Sequence, residues 1–331
     1  MRIIQNILEM DELFRIRMTH KIPGWTGWGY NYLPGKFLSE ISPTGRHKCK
    51  GDNVLMKKVL GIVISDRRLG NSEVLVKEIM SSIPGECGRE LIRLTDFKIE
   101  PCKACYRCLQ PHQDCAQKDD FNYLMGKIMA ADALIIGVPV YILGPHGYYK
   151  MLMDRLVGVG NYIEQTRGKP CALVIPYGTI GWTGYTKAAS MIMPRLLNMK
   201  IVDCWQVHAT LPGESLLDSD NIEYARKLGQ DLFSDREYIP GNRECCFCGS
   251  DILRLLADNR VECPICGAKG RLDHDNIPNF TDADYFRFSA HQVEEHFKGW
   301  VKEMKSRFAV EKDKLKEAQK DYRDKDWWIR P

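Results

Sequence analysis

The chain has 331 residues, 44% of them hydrophobic, which is enough for one large domain with attachments or for two domains. Its 47 basic and 43 acidic side chains leave a net charge of +4, too balanced to signal nucleic-acid binding. No stretch approaches the ~18 apolar residues that a membrane crossing needs, and the N-terminus has neither the apolar core nor the cleavage site of a signal peptide, so a cytoplasmic protein is expected.

Residues 1–56 do not read as a domain. An amphipathic "NILEMDELFRIRM" precedes the aromatic, glycine-rich "IPGWTGWGYNYLPGKF", which suggests an arm whose aromatics anchor it to the main body or to a partner subunit. A regular alternation begins at residue 57. Near-continuous apolar or alternating runs at 57–65, 89–97, 133–141, 170–178 and 200–209 predict five strands. Helical spacing predicts helices at 71–83, 119–133, 147–158, 186–199 and 220–234. Strands alternating with helices over this length predict a doubly wound parallel sheet. A small cysteine-rich module follows at 242–275, and then a charged stretch, 282–322, that reads as one long exposed helix.

Thirteen cysteines are an unusual number for such a chain. Eight fall into C-x-x-C steps: Cys102, Cys105, Cys108 and Cys115, then Cys245, Cys248, Cys263 and Cys266. In a reducing compartment such clusters read as metal ligands or redox thiols rather than disulfides. Cys87, Cys171 and Cys204 suit buried apolar positions.

The first strand-to-helix turn, "ISDRRLGNSE", offers Ser65, Arg67, Gly70, Asn71 and Ser72 at a helix N-terminus, where amides and dipole favour an anion. It lacks the glycine pattern of a dinucleotide site and the Lys-Ser/Thr of a P-loop, so a singly esterified phosphate fits it; a plain helix cap is the alternative. The third strand ends in Pro139, Val140 and Tyr141, an apolar wall and backbone rim for a flat ring. In the 2-1-3-4-5 strand order both loops emerge at the switch point, where open α/β sheets bind ligands. The loop after the fourth strand, "PYGTIGWTGY", would close the other side of the ring. A phosphate site at one end and an apolar slot at the other describe FMN.

The C-x-x-C-x-x-C-x6-C loop, Asp119-Asp120-Phe121 after it, "AADALIIGVPVY" and "KMLMDR" together resemble the iron–sulfur flavoprotein family, a branch of the flavodoxin-like NAD(P)H-dependent FMN reductases. The resemblance covers about residues 57–235. It implies FMN, a 4Fe-4S cluster in the Cys102–Cys115 loop, and a homodimer or homotetramer bringing the cluster of one subunit towards the flavin of another. Carried over by position, Ser65, Arg67, Asn71 and Ser72 hold the phosphate, and Pro139 to Tyr141 line the ring. Two departures stand out: Tyr177-Gly178-Thr179 replaces a run of glycines, and Ile142 to His146 replaces a small, serine-rich stretch.

Four thiolates within one loop can wrap one cubane, whereas zinc sites usually pair two separated knuckles. The cluster is the reading adopted for Cys102 to Cys115, with zinc and an empty thiol loop as alternatives. The loop follows strand two, on the far side of strand one from the ring, which suits the flavin of a neighbouring subunit better than its own. Cys245-x-x-Cys248-Gly and Cys263-Pro-x-Cys266-Gly are two knuckles with the spacing of a tetrahedral four-sulfur site, resembling a zinc ribbon or a rubredoxin-like module with one iron; structural zinc is preferred. His112 reads as a loop histidine, His146 as a helix-start residue, and Asp154-Arg155 as a structural pair.

The expected organisation is an arm (1–56), a flavodoxin-like FMN domain (57–238), a four-cysteine metal module (239–278), and a charged helix and tail (279–331). The expected activity passes electrons between NAD(P)H or a ferredoxin-like carrier and a small acceptor through FMN and the cluster. The alternative is a non-catalytic electron carrier or redox sensor working through protein partners.

Overall fold

The computed structural model describes residues 56–110, 113–282 and 286–329. The N-terminal arm and His112 therefore lie outside the described residues. Residues 54–331 form one compact unit.

Five parallel strands, β1 (Lys57–Val63), β2 (Cys87–Arg93), β3 (Ala133–Gly137), β4 (Pro170–Tyr177) and β5 (Lys200–His208), pair in the order β2-β1-β3-β4-β5. Their side chains alternate between two cores. Leu60, Ile62, Leu134, Ile136, Leu173 and Ile175 enter one; Val59, Val63, Ala133, Ile135, Ala172 and Val174 enter the other. Both faces are buried, which is why the strands read as continuous apolar runs. Helices α1 (Asn71–Ser81) and α6 (Ser219–Asp231) supply the second core; α2 (Phe121–Ala130) and α3 (Gly147–Asp154) supply the first.

Two elements depart from the expected spans for identifiable reasons. The helix expected over 186–199 is broken into α4 (Thr186–Ser190) and α5 (Ile192–Leu196). Pro194 has no N–H to give the carbonyl of Ser190, and that carbonyl instead accepts the buried hydroxyl of Tyr149 at 2.5 Å. The third strand ends at Gly137, and Val140–Tyr141 pairs with Gly144–Pro145 in a small hairpin instead of continuing it. Its two turn residues, Ile142 and Leu143, are left-handed at φ 45° and 63°, a backbone that branched residues rarely adopt.

The cysteine-rich segment builds an antiparallel sheet of β6 (Arg254–Leu255), β7 (Arg260–Glu262), β8 (Lys269–Leu272) and β9 (Pro278–Asp282), in the order β9-β8-β7-β6. The last strand carries it beyond residue 278. Its small core, with Val261, Phe280 and Phe288, packs on Ile192 and Leu196 of α5. Lys187 of α4 forms a nearly buried ion pair with Glu244, which also accepts the Tyr238 hydroxyl, so the residue before Cys245 is tied to the main sheet's helices.

The charged C-terminal stretch is not helical from 282. The helix starts at α7 (Ala290–Glu294), where Ser289 accepts the amide of Gln292 at 3.1 Å as N-cap, and runs through a π-helical turn (Glu295–Trp300) into α8 (Val301–Ala318). Val293 and Phe297 anchor its first turns on the first core, while Phe308 and Leu315 are exposed.

Candidate functional site

A cleft opens over the carboxyl ends of β1, β3, β4 and β5, at the switch between β1 and β3. It is lined by Ser65, Arg67, Gly70, Asn71 and Ser72 at one end and by Pro139, Val140 and Tyr141 along a wall. Pro176, Gly178, Thr179, Trp182, Ala209 and Thr210 face them, and Ile142 and Leu143 form the lip.

The anion end is the N-terminus of α1. Gly70 stands at the N-cap in extended backbone, and no side chain caps the helix, so the first amides of Asn71 and Ser72 are left for a ligand. Ser65, Asn71 and Ser72 are all buried. Arg67 crosses the mouth to donate to the carbonyl of Thr210 at 3.2 Å. The Asn71 side chain is committed elsewhere. It donates to the carbonyls of Ala209 (3.1 Å) and Leu211 (2.9 Å) and accepts the amide of Ser215 (3.1 Å), so only its backbone N–H is left for an anion.

Behind the turn, Glu73 accepts the amide of Leu69 at 2.9 Å and pairs with Arg93 and Lys77. Burial would raise its carboxyl, but these donors outweigh burial and bring it down to about 2. Arg93 also donates to the carbonyl of Ser65 at 3.0 Å, so one ion pair braces the end of β1 against α1.

Among the positions expected at this site, Tyr177 alone is turned away; its ring packs on His208 at 5.4 Å. Side chains alternate along a strand, so Pro176 and Gly178 share the face that Tyr177 leaves. The loop after β5, with Ala209 and Thr210, was missed in the sequence. Its signal was available, because every strand of an open α/β sheet ends at this edge. His146 caps α3 through Nδ1, which accepts the amide of Tyr148 at 3.3 Å, and its ring meets Tyr141 edge-on at 4.7 Å. Burial lowers its pKa, favouring the neutral ring.

The Cys102–Cys115 loop has almost no regular structure, yet it is stapled at several points. Asp120 accepts the amide of Lys98 (2.8 Å) and Asp119 that of Glu100 (2.9 Å), joining the loop's two ends. Asn122 accepts the amide of Cys115 (3.2 Å) and donates to its carbonyl (2.8 Å). Asn161 donates to the carbonyls of Cys108 and Gln113, both at 2.9 Å. Burial, then the neighbouring thiols of Cys115, Cys102 and Cys105, push the Cys108 thiol up to about 11. The four thiols are thus close enough to act on one another, though no three of their sulfurs lie within the 4.8 Å found in the second group.

Arg155 and Asp154 do not pair with each other. Asp154 binds Lys150, whereas Arg155, fully buried, binds Asp119. Successive residues on a helix point about 100° apart, so one faces solvent and the other faces the cysteine loop. The two caps of α3 thus face different places, His146 against Tyr141 of the cleft wall and Arg155 at the cysteines, about 13.5 Å apart along the axis at ~1.5 Å per residue.

Cys245, Cys248, Cys263 and Cys266 are buried, with all four sulfurs within 4.8 Å of one another. Cys245 and Cys266 are 3.5 Å apart, as are Cys248 and Cys263. A tetrahedral ion with bonds of ~2.3 Å spaces its sulfurs at ~3.8 Å. The two knuckles repeat one geometry. Gly249 and Gly267 take φ of 77° and 86°, and their amides return to the carbonyls of Cys245 (2.8 Å) and Cys263 (2.9 Å). Cys246 is exposed and lies outside the group.

The fold is flavodoxin-like, and its cleft has a polar end at the N-terminus of α1 and an apolar wall. Residues 57–210 match the family model described as NADPH-dependent FMN reductase. An iron–sulfur flavoprotein of Methanocaldococcus jannaschii is 39% identical over 99 residues, which is 30% of this chain and 51% of that protein. A flavone synthase of Aspergillus candidus is 28% identical over 204 residues, covering 52% of this chain and 62% of its own. The solved structure of a flavone reductase superposes with a TM-score of 0.66 at 20% identity, over 83% of this chain and 99% of that one. The chain spans about half the length of the iron–sulfur flavoprotein it matches. Residues 57–210 thus resemble the NADPH-dependent FMN reductases, and iron–sulfur flavoproteins are among the proteins that this chain is similar to. Among the described residues no helix is long and apolar enough to cross a membrane.

Proposed function

We propose that the protein is an FMN-dependent oxidoreductase that passes electrons between NAD(P)H or a ferredoxin-like carrier and a small acceptor, with a 4Fe-4S cluster on Cys102, Cys105, Cys108 and Cys115. The observation that carries this reading is the uncapped N-terminus of α1 opening into a cleft walled by Pro139, Val140 and Tyr141. Ser65, Arg67 and the amides of Asn71 and Ser72 would hold the phosphate; Pro139 to Tyr141 and Gly178-Thr179 would hold the ring between them. FMN seated there supplies two-electron exchange with a hydride donor and one-electron exchange with the cluster. The protein's part is to fix the ring, shield it and hold the relay.

The donor set at the first loop favours a cluster over a single ion. A cubane takes its four thiolates on four separate irons and spaces them more widely than one tetrahedral ion does. The second group has the close spacing of a single ion, and we assign it to structural zinc that holds the ribbon on α5. A single iron there would show itself by colour.

A dedicated organic acceptor is favoured over a pure electron shuttle by the lip of the cleft. Ile142 (90% exposed), Leu143 (43%) and Trp182 (59%) present apolar surface at the cleft, which a shuttle does not need. The name of the Aspergillus relative makes the flavanone–flavone couple the first organic pair to test for electron exchange in either direction.

The test is anaerobic purification with iron, zinc, acid-labile sulfide and FMN counted per chain. The reading expects about four irons, four sulfides, one zinc and one FMN, with flavin reduction on adding NAD(P)H or reduced ferredoxin. FMN without sulfide would leave a plain flavin reductase, and reduced flavin that passes electrons to no small acceptor would leave a carrier.

A further inference from the structure

Arg155 is the largest fully buried side chain among the described residues, and its guanidinium is held in a single orientation. Nη1 donates to the carbonyl of Glu100 at 2.8 Å and to Asp119 Oδ2 at 2.5 Å. Nη2 donates to Asp119 Oδ1 at 3.0 Å and to Cys115 Sγ at 3.1 Å. The ring of Phe121 lies 4.5 Å beneath the guanidinium carbon. Neither partner can swing away, because the Arg155 and Asp119 side chains are 0% and 1% exposed and Asp119 is also fixed by the amides of Glu100 and Phe121. The fork to Asp119 uses two of the five guanidinium N–H groups. Of the other three, one reaches the carbonyl of Glu100, one is aimed at the sulfur of Cys115, and Nε–H has no partner among the described residues.

We propose that Arg155 is a positioning residue for the electron relay: its Nη2 gives Cys115 a part-buried hydrogen bond that raises the reduction potential of the cluster bound there. The inference rests on the cluster reading of Cys102, Cys105, Cys108 and Cys115. Adding an electron to a cluster places more negative charge on its thiolates, so a donor to sulfur stabilises the reduced form more than the oxidised form. Asp119 offsets the positive charge, so Cys115 receives a directed dipole rather than a net charge. The donor is buried and Cys115 is half-buried, so water screens the dipole less than it would at the surface. Lysine cannot replace the fork, since one ammonium cannot span both carboxylate oxygens and the sulfur. Cys102, by contrast, receives only the amide of Ala104, at 3.4 Å, among the described residues.

The experiment is an EPR-monitored redox titration of anaerobically purified holoprotein. It compares wild type, Arg155→Lys, and the charge-neutral pair Arg155→Met with Asp119→Asn. The expected result in both variants is a cluster about tenfold harder to reduce, or ~59 mV more negative for one electron, with four irons retained and the flavin midpoint unmoved. An unshifted cluster midpoint in variants that keep their irons overturns the inference and leaves Arg155 as packing. A wild type without four irons and sulfides overturns the cluster reading itself, before any variant is made. If neither variant holds a cluster, wild type labelled with 15N in the arginine guanidinium decides the matter. Hyperfine coupling of that nitrogen to the reduced cluster is expected, and its absence overturns the hydrogen bond.

Discussion

The side-chain oxygen of Asn71 accepts the backbone N–H of Ser215 at 3.1 Å, linking residues 144 apart in sequence. With its amide on the carbonyls of Ala209 and Leu211, Asn71 holds the loop after β5 against the N-terminus of α1. The residue that begins α1 thus also fixes the opposite wall of the cleft. Replacing it with alanine strands the carbonyl of Ala209 and the amide of Ser215, while the carbonyl of Leu211 keeps the amide of Glu214, at a cost of ~1–3 kcal/mol for each stranded group that water cannot reach. FMN affinity in Asn71→Ala is expected to fall at least tenfold, read by flavin-fluorescence titration of the apoprotein. Unchanged affinity would remove the 209–215 loop from the FMN site.

Gly158 lies against the cysteine loop so closely that a Cβ would stand 2.8 Å from Cys108 Cβ and 3.2 Å from its sulfur. The loop cannot yield freely, because Asn161 holds the carbonyl of Cys108. Gly158→Ala should therefore displace Cys108 and lower iron and sulfide content while leaving FMN binding intact. Full cluster content in this variant would show that the loop adapts and is not preorganised.

The second cysteine group should contribute folding energy rather than turnover. The ribbon's core is small, so a metal held by the four cysteines would replace the apolar burial it lacks. Cys263→Ser is expected to release the metal and expose residues 240–285 to limited proteolysis, while the flavin spectrum persists. Protease resistance equal to wild type would mean that packing on α5 alone holds the segment.

Acid should weaken the bracing of the first turn. Glu73 is held down to about 2 from an ordinary value of 4.5 because its donors outweigh its burial. A depressed carboxylate stabilises the fold fully above the unfolded pKa and loses that contribution as pH falls from about 4.5 towards 2. The difference in unfolding free energy between wild type and Glu73→Gln should be largest near neutral pH and shrink across that window. A difference independent of pH would mean that Glu73 acts by shape alone.

Much of this protein was legible in its sequence because the signals are local. Buried parallel strands must be apolar on both faces, so five runs announced β1 to β5, and the loops at their carboxyl ends announced the cleft. Cysteines at C-x-x-C spacing declared two separate clusters, since a few residues of chain already bring neighbouring sulfurs towards one centre. Tertiary structure alone decided what depends on residues far apart in the chain meeting at one point. Arg155 found Asp119 and Cys115 rather than its neighbour Asp154, because helix geometry separates adjacent side chains while folding joins residues 36 and 40 positions apart. Tyr177 left the cleft to Pro176 and Gly178 because the register of β4, not residue type, chooses the face. The loop after β5 entered the site because Asn71, 140 residues from Leu211, pulls it there. Periodicity records which face of an element is buried; only the packed chain sets which distant side chain stands opposite.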